Sequence, residues 1–290
     1  MKFHSTYLLP ATIALLVAGC RAEELPEKGS GVPVVLTARV GGEDITRAGT
    51  DVQSTQFAAG ETFRVHIPAG TSASSTTFTT SDGSGNTTCT GTQPYFNPGI
   101  SSCQLHAYYP ATVNQATTSF SVRQAQQSDG GYKESDLMYA SATVTKSGPV
   151  ATGSLTFTHR MVKIVLTVQP GSGVAAIQAI RIVGGMRTIN IVTPLSCTLG
   201  TTLSDALTAD NAITLWTGTG TGSISCAGVI PPQTIDGDFV QVVTNLGSAT
   251  YRLDAKTFAA GSSYPFTLTV NAQDIGARNG YLSGGNQNWE

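Results

Sequence analysis

Large apolar residues recur at every second position in short runs along this chain, the spacing of strands with one face buried. The clearest stretch lies between Gly131 and Val168, GYKESDLMYASATVTKSGPVATGSLTFTHRMVKIVLTV. It opens on a polar turn region. Leu155 and Phe157 then mark a short strand, and Val162, Ile164, Leu166 and Val168 a longer one. The first pair occupies odd positions and the second set even ones, so the buried face changes phase between His159 and Met161. A slip of one residue moves every side chain to the opposite face, which predicts a bulge or a crossing between two sheets at that point.

Other runs extend the pattern in both directions. Val32 to Val40 (VPVVLTARV) reads as the first strand, carried by Val32, Val34, Leu36 and Val40. Phe63 to Ile67 reads as the second, with Phe63, Val65 and Ile67 inward and His66 outward. Residues 70 to 92 are rich in Gly, Ser and Thr and read as loop or irregular edge. Further strands are expected at Ile177–Val183, Thr188–Val192, Ile213–Trp216 and Phe239–Val243. Short strands with many turns predict an all-β chain, a sandwich by fold class. At 290 residues there is enough chain for two such domains. The phase slip places their boundary near 160/161, giving units of 32–160 and 161–290.

Composition fits solvated β faces. Charged residues make up 12% of the chain, about half the roughly 25% usual in soluble proteins, so the polar surface falls to Thr, Ser, Asn and Gln. A formal net charge of −2 gives no electrostatic reason to expect a nucleic-acid partner.

The first twenty residues, MKFHSTYLLPATIALLVAGC, read as an export signal: Lys2, an apolar run from Tyr7 to Ala18, then small residues. That run is too short for a spanning helix. Val17-Ala18-Gly19-Cys20 matches the bacterial lipobox, in which the signal peptide (1–19) is removed and Cys20 is lipidated. The bland alternative is an ordinary signal with a chance cysteine. Residues 20–31, with Pro26, Gly29 and Gly31, read as a flexible tether.

The remaining cysteines fall as Cys89 with Cys103 and Cys197 with Cys226. An exported chain meets oxidising conditions, so two local disulfides are one reading and unpaired thiols the other. Metal is disfavoured, because no CxxC spacing occurs and zinc would need further ligands. No cofactor is expected either. There is no GxSxG elbow, no HExxH and no Walker-type loop, and Thr217–Gly222 (TGTGTG) reads as a loop. Of the four histidines, His159 at the slip is expected to serve as a structural hydrogen-bonding residue. The chain reads as a non-enzyme. Tyr108, Tyr109, Trp216 and Trp289 could stack on sugars if exposed, or pack in a core.

Several stretches in order resemble one family. DLMYA is followed about 15 residues later by LTFTHRMVKI. Leu105–Pro110 (LHAYYP), Phe120–Gln124 with Gln126-Gln127-Ser128, Val229–Ile235 (VIPPQTI) and Phe258–Val270 (FAAGSSYPFTLTV) complete the series. Together they resemble the fimbrillins of Bacteroidales, the type V pilins and their relatives. The resemblance implies two tandem transthyretin-like β-sandwich domains over about Val32 to Val270. It implies that an Arg-directed protease cuts after the first strand, and Arg47-Ala48 sits where that cut falls; Arg39 lies inside the strand and fits less well. The departing strand would leave a groove for a strand of another fimbrial subunit. Arg21-Ala22-Glu23-Glu24 resembles the acidic tag that sends Bacteroidetes lipoproteins to the outer face of the outer membrane.

Residues 271–290 depart from the pattern, because Ile275, Tyr281, Leu282 and Trp289 do not alternate and Gly276, Gly280, Gly284 and Gly285 weaken any strand. A tip-like or accessory subunit is therefore expected over a repeating stalk subunit. The rivals are a permanently anchored surface lipoprotein that binds a glycan or host ligand, and an anchor subunit of the fimbria.

Overall fold

A computed structural model describes residues 31–41 and 57–275. The chain is almost entirely β. The first half contains β1 (Val34–Val40), β2 (Thr62–His66), β3 (Ser75–Thr80), β4 (Thr87–Cys89), β5 (Ser102–Tyr109), β6 (Ser119–Ser121), β7 (Met138–Ser147) and β8 (Val150–His159). The second contains β9 (Val162–Pro170), β10 (Ile177–Ile182), β11 (Met186–Thr193), β12 (Thr198–Ala206), β13 (Ile213–Gly220), β14 (Ile224–Ile230), β15 (Gln233–Thr244), β16 (Gly247–Phe258) and β17 (Ser263–Val270).

Three sequence expectations are corrected. The segment 70–92 contains β3 and β4, which hydropathy hides because Thr76 and Thr80 take inward places beside Phe78. Their hydroxyls find partners there: Glu61 N donates to Thr80 Oγ1 at 3.1 Å, and Thr76 Oγ1 lies 3.4 Å from Cys89 Sγ. Thr217–Gly220 continues β13 rather than looping. A side chain at Gly218 would meet the Trp216 ring at 2.9 Å, so the missing Cβ lets the indole lie along its own strand. The polar stretch before DLMYA contains a helix, α1 (Asp129–Ser135), which Ser128 caps by accepting from Gly131 N. Two glycines mask it in the sequence, and burial of Tyr132 holds it in place.

The phase slip is a crossing between sheets. β8 belongs to a seven-stranded sheet of order β1-β8-β7-β5-β2-β3-β4, whereas β9 lies in a separate sheet, β14-β9-β17. Two further sheets, β13-β10-β15-β16 and β12-β11-β6, complete the fold, the last pairing β6 of the first half with β11 of the second. Leu155 and Phe157 accordingly enter one hydrophobic core, and Val162, Ile164, Leu166 and Val168 another. The two cores interleave in sequence. Val113, Phe120, Val122 and Tyr132 precede the slip yet pack in the second core, and the described residues form one compact unit.

What joins the cores is a strip of sheet buried on both faces. At the end of β5, Tyr108 enters the second core and Tyr109 the first; at the start of β7, Leu137 and Tyr139 enter the second while Met138 and Ala140 enter the first. β5 and β7 pair there in register, Tyr108 opposite Tyr139 and Tyr109 opposite Met138. The AYYP and DLMYA stretches are thus two adjoining parts of one wall. Buried amides secure the second side. Gln126 accepts from Val229 N at 2.7 Å and donates to Val229 O at 2.9 Å, and Gln233 does the same for Met186 at 2.7 and 2.8 Å. Each side chain stands in for a peptide group where no strand reaches, pairing both the donor and the acceptor of the residue it meets.

At the crossing itself His159 Nδ1 lies 2.9 Å from the buried carboxylate of Asp136. Burial of the ring opposes its protonation, but the Asp136 charge and hydrogen bond outweigh this and raise the His159 pKa above its ordinary 6.5. A raised folded-state value stabilises the fold fully below the unfolded pKa, and the gain fades as pH rises through the folded one. His159→Gln should therefore lower the urea midpoint most at mildly acidic pH and least at alkaline pH; a gap that widens with pH would contradict the assignment. Met138→Ala should cost about 2–5 kcal/mol. Because the wall serves both cores, urea unfolding should remain one transition, and two separated transitions would argue against a shared wall.

Candidate functional site

The first strand lies at the edge of its sheet, as β17 does in β14-β9-β17, and buries one whole face. Val34, Leu36, Ala38 and Val40 face the first core at 1, 1, 2 and 4% exposure, while Val35, Thr37 and Arg39 face outward. Val32 packs against the same core from a half-buried position. Ala38 was missing from the residues that the sequence pattern singled out, because a methyl group between Thr37 and Arg39 carries little hydropathy signal.

One edge of β1 pairs in parallel with β8 over seven positions, from Val34 opposite Ala151 to Val40 opposite Phe157. Thr37 Oγ1 meets Ser154 Oγ at 3.0 Å, and Arg39 Nε donates to Thr156 Oγ1 at 3.0 Å. The other edge has no ladder. It is tied at separate points by the irregular segment around β4: Ala38 N donates to Gly85 O (2.8 Å), Val34 N to Pro94 O (3.0 Å), Thr87 Oγ1 to Leu36 O (2.7 Å) and Gln93 Nε2 to Val34 O (2.9 Å). β9 makes the contrast. It also has a parallel neighbour, β17, but its second edge carries a full antiparallel ladder to β14 from Val162 to Val168.

Both ends of the segment that follows β1 are fixed. Gly41 N donates to Phe157 O at 2.7 Å. The chain returns at Phe57, a buried ring with centroids 5.1 Å from Phe157, 5.5 Å from Tyr109 and 6.1 Å from Phe63. Next to it, Glu61 Oε1 lies 2.9 Å from Lys133 Nζ of α1, and Glu61 Oε2 accepts from Ala58 N. Arg47 and Ala48, the expected cut, lie between these points and outside the described residues, as do Cys20 and Trp289.

Elsewhere the structure separates residues that the sequence grouped. Cys89, Cys103, Cys197 and Cys226 are all free thiols, so neither of the disulfides considered from the sequence is formed. Cys89 on β4 and Cys103 on β5 have β3 and β2 between them, roughly 14 Å along the sheet at about 4.8 Å per strand, beyond the reach of a disulfide. Cys197 and Cys226 are both buried in the second core. Burial pushes the Cys226 thiol up to about 12 and, against the nearby Arg160, that of Cys197 up to about 11, so both are unreactive near neutrality. Tyr108 and Tyr109 are core residues, and Trp216 packs half-buried against the second core, so none of the three forms an open aromatic platform. Among the described residues no three His, Cys, Asp or Glu side chains converge as metal ligands.

An all-β chain with two interleaved cores, a wall buried on both faces and a first strand laddered on one side defines the class of protein. The sequence profile of the fimbrillin-like family matches residues 46–283. The chain belongs to that family. Solved structures share the fold: a candidate cell-adhesion protein of Bacteroides uniformis (20% identity, TM-score 0.59, covering 86% of this chain and 95% of that one), another of Bacteroides ovatus (14%, 0.59, 83% and 92%) and a third of Bacteroides fragilis (15%, 0.55, 89% and 98%). A comparison with curated proteins finds no match.

The one-sided ladder has a measurable consequence. Backbone amides of β1 should exchange with solvent through openings of lower free energy than those of β9. Native-state hydrogen exchange resolved by peptide would show this, and equal protection of the two strands would contradict it.

Proposed function

We propose that this chain is a subunit of a surface fimbria used in attachment, and that β1 is a provisional strand which a neighbour's strand replaces. The observation that carries this reading is the seat of β1: four inward side chains in the first core, a full ladder on one edge and scattered ties on the other. In this reading lipid on Cys20 holds the precursor at the outer membrane. A cut after Arg47 separates Val32–Val40 from the rest of the chain, which Phe57 and the Glu61–Lys133 pair keep anchored.

Magnitudes require the replacement to be concerted. Burying a Val or Leu side chain stabilises by about 1.5–3 kcal/mol, so withdrawing Val34, Leu36 and Val40 together would forfeit an amount comparable to a whole domain's stability of about 5–15 kcal/mol. An empty groove would therefore unravel the first core. A donor strand must pair with β8 as β1 leaves, with backbone bonds supplying affinity and alternate side chains supplying register. The work is mechanical, with no reaction chemistry assigned to any residue. The irregular composition of 271–290 favours a tip-like or accessory position over a repeating stalk position.

N-terminal sequencing of the protein recovered from sheared surface material and, separately, from membranes tests this. The sheared form should begin at Ala48, and Arg47→Ala should abolish that form. Protein that begins only at Cys20 and occurs only in membranes would sink the proposal and leave a tethered binding protein or an anchor.

A further inference from the structure

Beyond being apolar, the seat of β1 has a shape that changes from one position to the next. The parallel register sets Val34 against Ala151, Leu36 against Gly153, Ala38 against Leu155 and Val40 against Phe157. In the first three pairs a larger group faces a smaller one, and between Leu36–Gly153 and Ala38–Leu155 the larger member changes strand. Gly153 is the sharpest instance. A Cβ built there would stand 2.8 Å from Val144 Cγ2 and 3.3 Å from Leu36 Cδ2, so Val144 and Leu36 together occupy ground that any side chain at 153 would contest. Two residues on, the relation reverses: Leu155 is fully buried and its partner is only a methyl group.

The backbone closes the same place from the other edge. Gly85 accepts from Ala38 N through its carbonyl and passes so near that a Cβ on it would lie 2.5 Å from Ala38 O. Gly85 has φ +89°, a conformation that suits glycine. The strand at position 38 is thus held between Leu155 and the Gly85 turn, with little room to shift outward to admit a larger group. Close-packed interiors tolerate neither an extra branch nor a void without loss.

We infer that this seat selects its donor by the order of side-chain sizes: the partner is a strand running parallel to β8 that places a long aliphatic residue over Gly153 and, two residues later, a small one over Leu155. This inference rests on the strand-replacement reading and adds to it a criterion for which strand is accepted. A strand of equal hydrophobicity in the reverse order would leave a hollow at Gly153 and collide with Leu155. A one-residue slip would turn its apolar set away from the core.

Two peptides of identical composition decide the matter. One carries the natural sequence Val32–Gly41; the other carries Leu36→Ala together with Ala38→Leu. Each is labelled with a fluorophore and added to the full chain after cleavage at Arg47, and incorporation is followed by anisotropy. The natural peptide should enter the seat, and the exchanged one should bind about 100-fold or more weakly. Leu155→Ala in the protein should recover at least about tenfold for the exchanged peptide while weakening the natural one. Equal binding of the two peptides would overturn the size-order inference and leave strand replacement standing. Failure of both to enter, with the cut strand retained, would overturn strand replacement and the inference with it. If Leu155→Ala does not fold, the peptide pair alone still separates these outcomes.

Discussion

Burial of one strip of sheet on both faces is the constraint on which the rest of this structure depends. Tyr108 and Tyr109 are neighbours in sequence yet belong to different cores, and Leu137, Met138, Tyr139 and Ala140 divide in the same alternating way. A strand buried on both sides must be apolar at consecutive positions rather than at every second one, which is why AYY and LMYA interrupt the period-two pattern. Tyrosine suits such a wall because it combines a large apolar body with one polar group that can reach a partner. Tyr108 OH donates to Leu195 O at 2.8 Å, and Tyr139 OH meets His106 Nδ1 at 2.7 Å. The phase slip after His159 follows from the same arrangement, because the chain leaves the first sheet beside the wall and must present its apolar face to the other core.

Against that fixed wall, the two ends of the molecule are built with opposite priorities. β9 begins the second half and is laddered on both edges; β1 begins the first half and is laddered on one. The free-energy difference lies less in buried surface, which is nearly complete for both, than in the cooperativity of the backbone ladder. A strand tied at separate points can open from one end, losing a bond at a time, whereas a two-sided ladder must break both sets together. Where β1 lacks a strand neighbour, Thr87 and Gln93 side chains satisfy its carbonyls, as Gln126 and Gln233 do for backbone groups of the second half. Such side-chain substitutes satisfy the polar groups without extending a sheet.

Read by itself, the sequence determined the all-β class, most strand positions, the phase slip after His159 and the family, because period-two alternation and ordered motifs are local properties of the chain. The alternation also located the first strand and three of its four core-facing residues. It missed Ala38, whose role is to be small opposite Leu155, and no one-dimensional pattern records what lies across a ladder. It missed β3 because threonines took inward positions and found their hydrogen-bond partners there. It grouped Cys89 with Cys103 by spacing, although two strands separate them in the sheet. Only the tertiary structure decided that the two cores interleave, that β1 is laddered on one edge alone and that Leu36 packs with Val144 against Gly153. Each of these depends on which strand lies beside which, and pairing is set by contacts between residues far apart in the chain.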